Sequence, residues 1–487
     1  MRAAAHGARA LHARAGDAAD ALQCRAGRHE GRVADGTWLA RGHAERACCV
    51  PGAGLIHKRI GILGGGISGI ALAAHLGPDV DVLEKRSRIG GLCGAIIENG
   101  FTFDAAGPHI MFSKNKPVLQ LMIDVLGDNV RQGRRENRIW FKGRLVKYPF
   151  ENDLASLPKE DNFDCIYGYI VNPRANDTPA NLADWSYMTF GAGISDKYFI
   201  PYNRKIWNYD PQKIGLEFVS RIPKPPMEDV LKSSIGIATE GYLHQLYFSY
   251  PIEGGFESIV HGFAKRVSGE LHTNCRVVSV ARDGQRWRVA TDDGTERSYD
   301  TLVSTLPIHE LLPIWDGAPV EAIEWAGRLR YNSLINLLIG CNEDRGYPYT
   351  AVYIPDPEII FHRISFPKAF SERCVPEGSS SIMAEITTNE GDGIWEMSDD
   401  EILDRAIGDL AKTEFLDPAR VVYRRAVRFL YGYPVYDLEY RSNVERMRKA
   451  VADTGLHLLG RFAQFDYINS DVCVERALAL AETLSAA

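Results

Sequence analysis

Residues 60–84 read I-G-I-L-G-G-G-I-S-G-I-A-L-A-A-H-L-G-P-D-V-D-V-L-E, and the punctuation of that stretch decides the fold. An apolar run, Ile60 to Leu63, breaks at Gly64, Gly66 and Gly69; an amphipathic segment follows to Leu76, and a second apolar run ends in Glu84. That is strand, turn, helix, strand. Gly64 permits the tight turn, Gly66 lets a pyrophosphate approach the backbone, and Gly69 lets the helix pack on the strand. The helix aims its unsatisfied N–H groups at the phosphates. Glu84, 20 residues after Gly64, stands where an acid binds the adenosine ribose hydroxyls. A bare GxGxxG also occurs in ordinary glycine-rich turns, so the strand, helix and acid in register are what select dinucleotide binding.

Working outward, residues 85–95 read K-R-S-R-I-G-G-L-C-G-A. Gly90 and Gly91, followed by Leu92, suit a second close backbone approach to a long cofactor, with Arg88 near a phosphate or ribose. The same residues also read as a surface turn behind a solvated charge run. Residues 100–109, G-F-T-F-D-A-A-G-P-H, place a short strand before a turn ending in His109. A nicotinamide dehydrogenase has no need of a second Gly-Gly turn, whereas FAD, with its isoalloxazine carried deep into the protein, does. Gly254 and Gly255 precede a further helix, and Leu271 to Val280 reads as a strand with Val277 a candidate adenine neighbour. Near the C-terminus a strand ends at Gly460, a loop carries Arg461, Tyr467 and Asn469, and a helix opens at Asp471, a good N-cap. That helix directs its positive end toward the ribityl and pyrophosphate.

The chain of 487 residues carries a net charge of −7, which gives no reason to expect nucleic acid or an anionic membrane surface and points to a small-molecule partner. No apolar run approaches the ~18 residues of a spanning helix. Nine cysteines include no C-x-x-C, which argues against a zinc site or disulfide framework, so no metal is expected and a reduced, cytoplasmic setting is the default. Residues 1–55 differ from the rest: rich in Ala, Arg, Gly and His, without Lys, and interrupted by Asp17, Asp20, Glu30, Asp35 and Glu45. They fit neither a secretory signal nor an organellar transit peptide. They read as a disordered extension or a mis-assigned start.

The remainder divides, on this reading, into an FAD-binding region in three parts, 56–113, 237–307 and 441–487, a mainly helical insertion with a mobile loop at 114–236, and a substrate sheet domain at 308–440. The fold class is α/β: a Rossmann-like two-dinucleotide-binding domain with a helical insertion and a mixed-sheet substrate domain. The insertion contains a hairpin across Lys142 and Gly143. It also holds F-I-P-Y-N-R-K-I-W-N-Y-D-P-Q-K-I-G-L-E-F-V-S-R at 199–221, in which Trp207 follows Tyr202 by five and Arg221 follows Trp207 by fourteen. By chemistry alone Trp207 offers a stacking face for a base and Arg221 a fork for a phosphate. An aromatic helix packed on the core beside a surface arginine fits those residues too. In the substrate domain Arg363 sits on a strand candidate, Ile359 to Ile364, sharing a face with Phe361 and Ser365, while His362 faces the other way as a structural residue.

These motifs resemble those of the UDP-galactopyranose mutase family, within the superfamily that includes flavin amine oxidases and protoporphyrinogen oxidases. The resemblance runs from Ile60 to Leu484 and is strongest at both ends and over Tyr202 to Arg221. It implies FAD, used in its reduced form with NADPH or another reductant, and a nucleotide-sugar substrate whose pyranose and furanose forms interconvert without net redox. Trp207 would stack on uracil beside Tyr202, Arg221 on a mobile loop and Arg363 would hold the diphosphate, Tyr433 would hydrogen-bond it, and Tyr467 and Asn469 would contact the sugar nucleotide or flavin edge. His109 would shape the flavin edge; it reads equally as a satisfied structural histidine, and Tyr433 reads nearly as well as core. Bacterial mutases carry histidine, tyrosine and aspartate where this chain has Phe112, Met383 and Asn469, so the pattern leans to the eukaryotic type. The alternative is an FAD-dependent oxidoreductase of the amine oxidase or protoporphyrinogen oxidase type. Oligomeric state is not legible.

Overall fold

The computed structural model describes residues 59–222, 224–239 and 246–486; the expectation for 1–55 lies outside them. The opening stretch forms strand Ile60–Leu63, helix Ile67–Ala73 and strand Val80–Leu83. These join a five-stranded sheet in the order His457–Leu458, Thr301–Ser304, Ile60–Leu63, Val80–Leu83, Glu270–His272, parallel throughout. Parallel strands with both faces covered require near-continuous apolar runs, and the two chain-order neighbours supply them. The first helix is buried along its whole length because helices Glu257–Ala264 and Ser470–Ala486 pack against it. Its closeness to the strand depends on Gly69, where a Cβ would fall 2.2 Å from the Gly64 carbonyl oxygen.

A seven-stranded mixed sheet forms the second layer, in the order Val421–Val435, Arg330–Cys341, Ser380–Thr388, Arg363–Ser365, Ala351–Tyr353, Asn137–Phe141, Arg144–Lys147. The expected hairpin is present: Lys142 (φ 47°) and Gly143 (φ 77°) make a two-residue turn with both φ positive. Its strand Asn137–Phe141 pairs in parallel with Ala351–Tyr353, so the hairpin extends this sheet. The strand expected over Ile359 to Ile364 is shorter and later, Arg363–Ser365, which leaves Phe361 outside it. The strand expected over Leu271 to Val280 divides: Glu270–His272 ends the parallel sheet, while Val277–Asp283 joins a separate four-stranded sheet with Arg286–Thr291, Glu296–Tyr299 and Trp315–Asp316.

The helical insertion includes Lys159–Ile170, Leu182–Ile194, Ile200–Trp207 and Met227–Ser234. The second of these is kinked at Gly191 (φ 72°), where a Cβ would overlap the Gly168 carbonyl at 2.0 Å. Among the described residues no helix is long and apolar enough to cross a membrane.

Candidate functional site

The glycine turns frame a cavity of ≈380 Å³. Gly64, Gly66, Glu84, Gly90, Gly91, Leu92, Gly460 and Arg461 all line it. Its walls meet backbone to backbone: Gly66 bridges Gly90, the Gly90 N–H donates to the Gly65 carbonyl at 2.9 Å, and a Cβ on Gly91 would lie 3.1 Å from the Gly66 Cα. Side chains there would fill the space a pyrophosphate needs. The Glu84 carboxylate is fixed at the strand end by the Gly65 N–H (2.8 Å) and the Arg86 N–H (2.9 Å). A cavity walled by glycine backbone and lined by a fixed acid, Glu84, fits a flavin dinucleotide.

Three expected cofactor contacts are placed elsewhere. Arg88 pairs with Glu257, donating from Nε to Oε1 at 3.0 Å, and borders a neighbouring groove. That buried carboxylate, 169 residues away, captures a guanidinium expected near a phosphate or ribose. Val277 lies opposite Thr291 in the four-stranded sheet, away from the cavity, because the strand breaks before it. Asp471 is in the first turn of its helix rather than at the cap: the helix starts at Ser470, the Asn469 carbonyl accepts from the Cys473 N–H at 3.0 Å, and Ser470 and Cys473 line the cavity.

A second cavity of ≈300 Å³ adjoins the first, with Leu92, His109, Arg461 and Ser470 shared between them. Arg221, Arg363, Tyr433, Tyr467 and Asn469 line it, together with Phe112. Arg363 is held by a cross-strand neighbour: its Nε and Nη2 donate to the two carboxylate oxygens of Glu385 at 2.5 and 2.6 Å, leaving Nη1 for the cavity. Burial is the largest influence on Arg363 and opposes its charge, but the Glu385 carboxylate together with Tyr433 and Tyr353 outweighs it, so the guanidinium stays firmly protonated. Gly107 (φ +88°) makes room for that carboxylate, since a Cβ there would sit 2.6 Å from Glu385 Oε2. Arg221 ends a one-turn helix, Val219–Arg221, with its guanidinium carbon 4.8 Å from the Tyr467 ring centroid.

Tyr202 and Trp207 do not reach this cavity. Tyr202 stacks on Tyr198 and meets Tyr353 edge-on at 5.3 Å. Trp207 is 2% exposed, donates from Nε1 to Asn203 Oδ1 at 3.2 Å, and packs edge-on against Phe218 and Tyr467. It forms a layer beneath the aromatic wall, and the exposed ring faces belong to Phe218 and Tyr467. Met383 is likewise core, 1% exposed between neighbouring strands. His362 is 1% exposed and held neutral by burial, with the Arg363 and Lys205 charges adding to the effect.

His109 stands between the cavities. Burial lowers its pKa to about 3, with the Arg461 charge next in weight, so the imidazole is neutral. Its backbone N–H donates to Asp104 Oδ2 at 3.1 Å, while its ring Nδ1 has no protein partner. Asp104 also accepts from the Phe256 N–H and the Tyr250 hydroxyl; burial lifts its pKa to about 6.

Sequence reasoning missed Glu385, Tyr353 and Arg135. The last two line the second cavity, and Glu385 holds Arg363 from behind. The run R-R-E-N-R at 134–138 was the available signal for Arg135. With it, four arginines, Arg135, Arg221, Arg363 and Arg461, line the second cavity, and no Asp or Glu does among the described residues.

A family model described as flavin containing amine oxidoreductase matches residues 67–425. Polyamine oxidase 4 of Oryza sativa subsp. japonica is 24% identical over 337 residues, 65% of this chain and 63% of that protein, so the chain spans less than two thirds of that relative's length. Coproporphyrinogen III oxidase of Bacillus subtilis (strain 168) is 18% identical over 464 residues, 87% of this chain and 97% of that one. Among solved structures, reduced UDP-galactopyranose mutase matches with a TM-score of 0.81 and 23% identity, covering 89% of this chain and 95% of its own; that likeness is one of fold.

Proposed function

Because the chain belongs to the flavin containing amine oxidoreductase family, we propose that it binds FAD in the first cavity and isomerises a nucleotide sugar, in the manner of UDP-galactopyranose mutases, in the second. The observation that carries this reading is the lining of the second cavity, to which four arginines and, among the described residues, no Asp or Glu contribute, with Glu385 behind the lining holding Arg363. A diphosphate matches guanidinium forks in charge and geometry. A polyamine would meet these guanidinium charges and, among the described residues, no lining carboxylate to balance its own.

When bound in reduced form, FAD supplies the electron pair through which an anomeric centre exchanges ring forms without net redox. The chain's own residues supply the rest. Arg363, aimed by Glu385, and Arg221 hold the diphosphate as negative charge builds on it; one well-placed charged donor lowers such a barrier by about 3 kcal/mol. Tyr467 and Tyr433 bound the sugar nucleotide, with Asn469 a hydrogen-bonding partner for it. Neutral His109 keeps the junction of the two cavities free of an added positive charge, so the arginines alone set the anion's position.

The family match and the oxidase relatives support a second reading more directly than the first: an FAD-dependent oxidoreductase. An anionic substrate such as a porphyrinogen would satisfy the same arginines. Turnover separates the two. The protein is reduced anaerobically with dithionite or NADPH, UDP-galactopyranose or UDP-galactofuranose is added, and products are resolved by chromatography. Interconversion is expected. No interconversion, together with oxygen-dependent turnover of coproporphyrinogen or an amine, establishes the oxidoreductase instead.

A further inference from the structure

Two neighbouring strands at one end of the parallel sheet, Val80–Leu83 and Glu270–His272, bring three metal-ligand side chains together outside both cavities. Asp81 pairs in register with Glu270, and His272 lies two residues further along the same edge strand. Side chains alternate along a strand, so all three project from one face of the sheet. Their ligand atoms lie within 4.8 Å of one another. The decisive atom is the imidazole nitrogen. His272 Nε2 is shielded from solvent and has no hydrogen-bond partner, yet it stands 3.3 Å from Glu270 Oε2 and 3.8 Å from Asp81 Oδ1. In a tetrahedral zinc site with bonds of about 2.0–2.1 Å, ligand atoms stand about 3.3–3.4 Å apart. One observed spacing matches that edge, and the other is a few tenths of an ångström longer.

The Asp81 carboxylate is already aimed. Its Oδ2 accepts from the Tyr299 hydroxyl at 2.8 Å and from Arg59 Nη2 at 2.6 Å, while Oδ1 is the oxygen nearer His272. Tyr299 reaches it by packing against Gly61, where a Cβ would fall 2.5 Å from the ring. Outer hydrogen bonds of this kind orient ligating carboxylates in metal sites. Asp81 is 3% exposed and the Glu270 side chain 72% exposed, so one ligand is fixed and another is free to swing in.

We propose that Asp81 Oδ1, Glu270 Oε2 and His272 Nε2 bind a zinc ion, with water in the fourth position. The two carboxylates balance its charge. The imidazole favours a transition metal over magnesium or calcium, which take oxygen ligands. The cysteine spacing that argues against a zinc site has no bearing on one built without sulfur. The ion clamps the edge strand to its neighbour beside the flavin cavity. There the Glu84 N–H donates to the His272 carbonyl at 2.8 Å, and the Glu84 carbonyl accepts from the Cys275 N–H at 2.9 Å. Glu84 itself lines that cavity, so the clamp bears on flavin retention.

The full-length holoprotein, stripped with EDTA and desalted, is titrated with zinc chloride by calorimetry. Histidines and cysteines at 1–55 offer zinc other ligands, so the site is read by difference. Wild type should bind one equivalent more than His272→Ala or Glu270→Ala, because losing a ligand should weaken the site by more than about 100-fold. The exposed Glu270 side chain makes its variant safe for the fold should His272→Ala fail to fold. Zinc should also raise the urea midpoint of wild type and slow its flavin release, and do neither for the variants. Millimolar magnesium or calcium should not compete. Equal zinc uptake by all three proteins overturns the proposal. So does an equivalent that magnesium displaces, or one that leaves the urea midpoint and flavin release of wild type unchanged.

Discussion

Replacing Arg363 by Met separates what the arginine does for the fold from what it does for the substrate. Its partner Glu385 is fully buried and receives both bonds of the bidentate pair. Removing the guanidinium strands that carboxylate in the sheet, and breaking one side of a buried pair costs about 3–5 kcal/mol. That is a large part of the ~5–15 kcal/mol that holds a typical domain together. Adding Glu385→Gln removes the stranded charge and should restore most of the loss, since a buried pair as a whole contributes little net stability. Activity should follow a different course. The cavity-facing Nη1 is absent in both variants, so the anaerobic isomerisation rate should fall about 100-fold or more in each, the equivalent of losing one charged donor. Urea unfolding and the rate assay are run on Arg363→Met, Glu385→Gln and the double variant, with flavin content checked by absorbance. A double variant that recovers both stability and near-normal turnover would refute the catalytic assignment and leave Arg363 a structural residue.

Gly64 has φ +104°, and a Cβ there would lie 2.3 Å from Thr305 Oγ1, so Gly64→Ala should yield a chain purified without flavin absorbance; full flavin occupancy would contradict the close approach. Trp207→Phe should cost about 1–3 kcal/mol in unfolding free energy yet change UDP affinity less than about threefold, because the indole lies beneath the cavity wall. Unchanged stability with a large loss of affinity would return Trp207 to a stacking role. His362 is held neutral in the folded chain, with its pKa well below the unfolded value. Its contribution is therefore complete above the unfolded pKa near 6.5 and is lost by about 1.4 kcal/mol per pH unit as pH falls below it. Urea titrations of wild type and His362→Gln at pH 7.5 and 5.5 should show a smaller drop for the variant, and an equal drop would remove the assignment.

The nucleotide half of the molecule was legible because its signals are local. The turn at Gly64, Gly66 and Gly69 and the acid at Glu84 lie within 25 residues, and the backbone conformations they require are those observed. Arg88 and Val277 escaped because what decides them is remote or a matter of strand pairing: a buried Glu257 takes Arg88, and a break near Asn274 (φ 52°) sends Val277 to another sheet. Trp207 shows a different limit. Spacing located it on the right segment, but whether its face meets a cavity or a neighbouring ring is fixed by Phe218 and Tyr467, the latter 260 residues away. The second cavity was half visible: Arg221, Arg363, Tyr433, Tyr467 and Asn469 converge as expected, whereas Arg135 arrives on a segment that read as part of the helical insertion. Glu385 carries no local signal at all, because its role exists only through cross-strand pairing with Arg363.

On the proposed function, the arginine-lined cavity takes a nucleoside diphosphate. Equilibrium titration of UDP against the dithionite-reduced flavoprotein, followed through flavin absorbance and repeated with Arg221→Ala and with spermidine as competitor, tests it directly. Saturable UDP binding is expected, weakened by Arg221→Ala at unchanged flavin content and unaffected by spermidine. Spermidine binding in the absence of any UDP binding would contradict it.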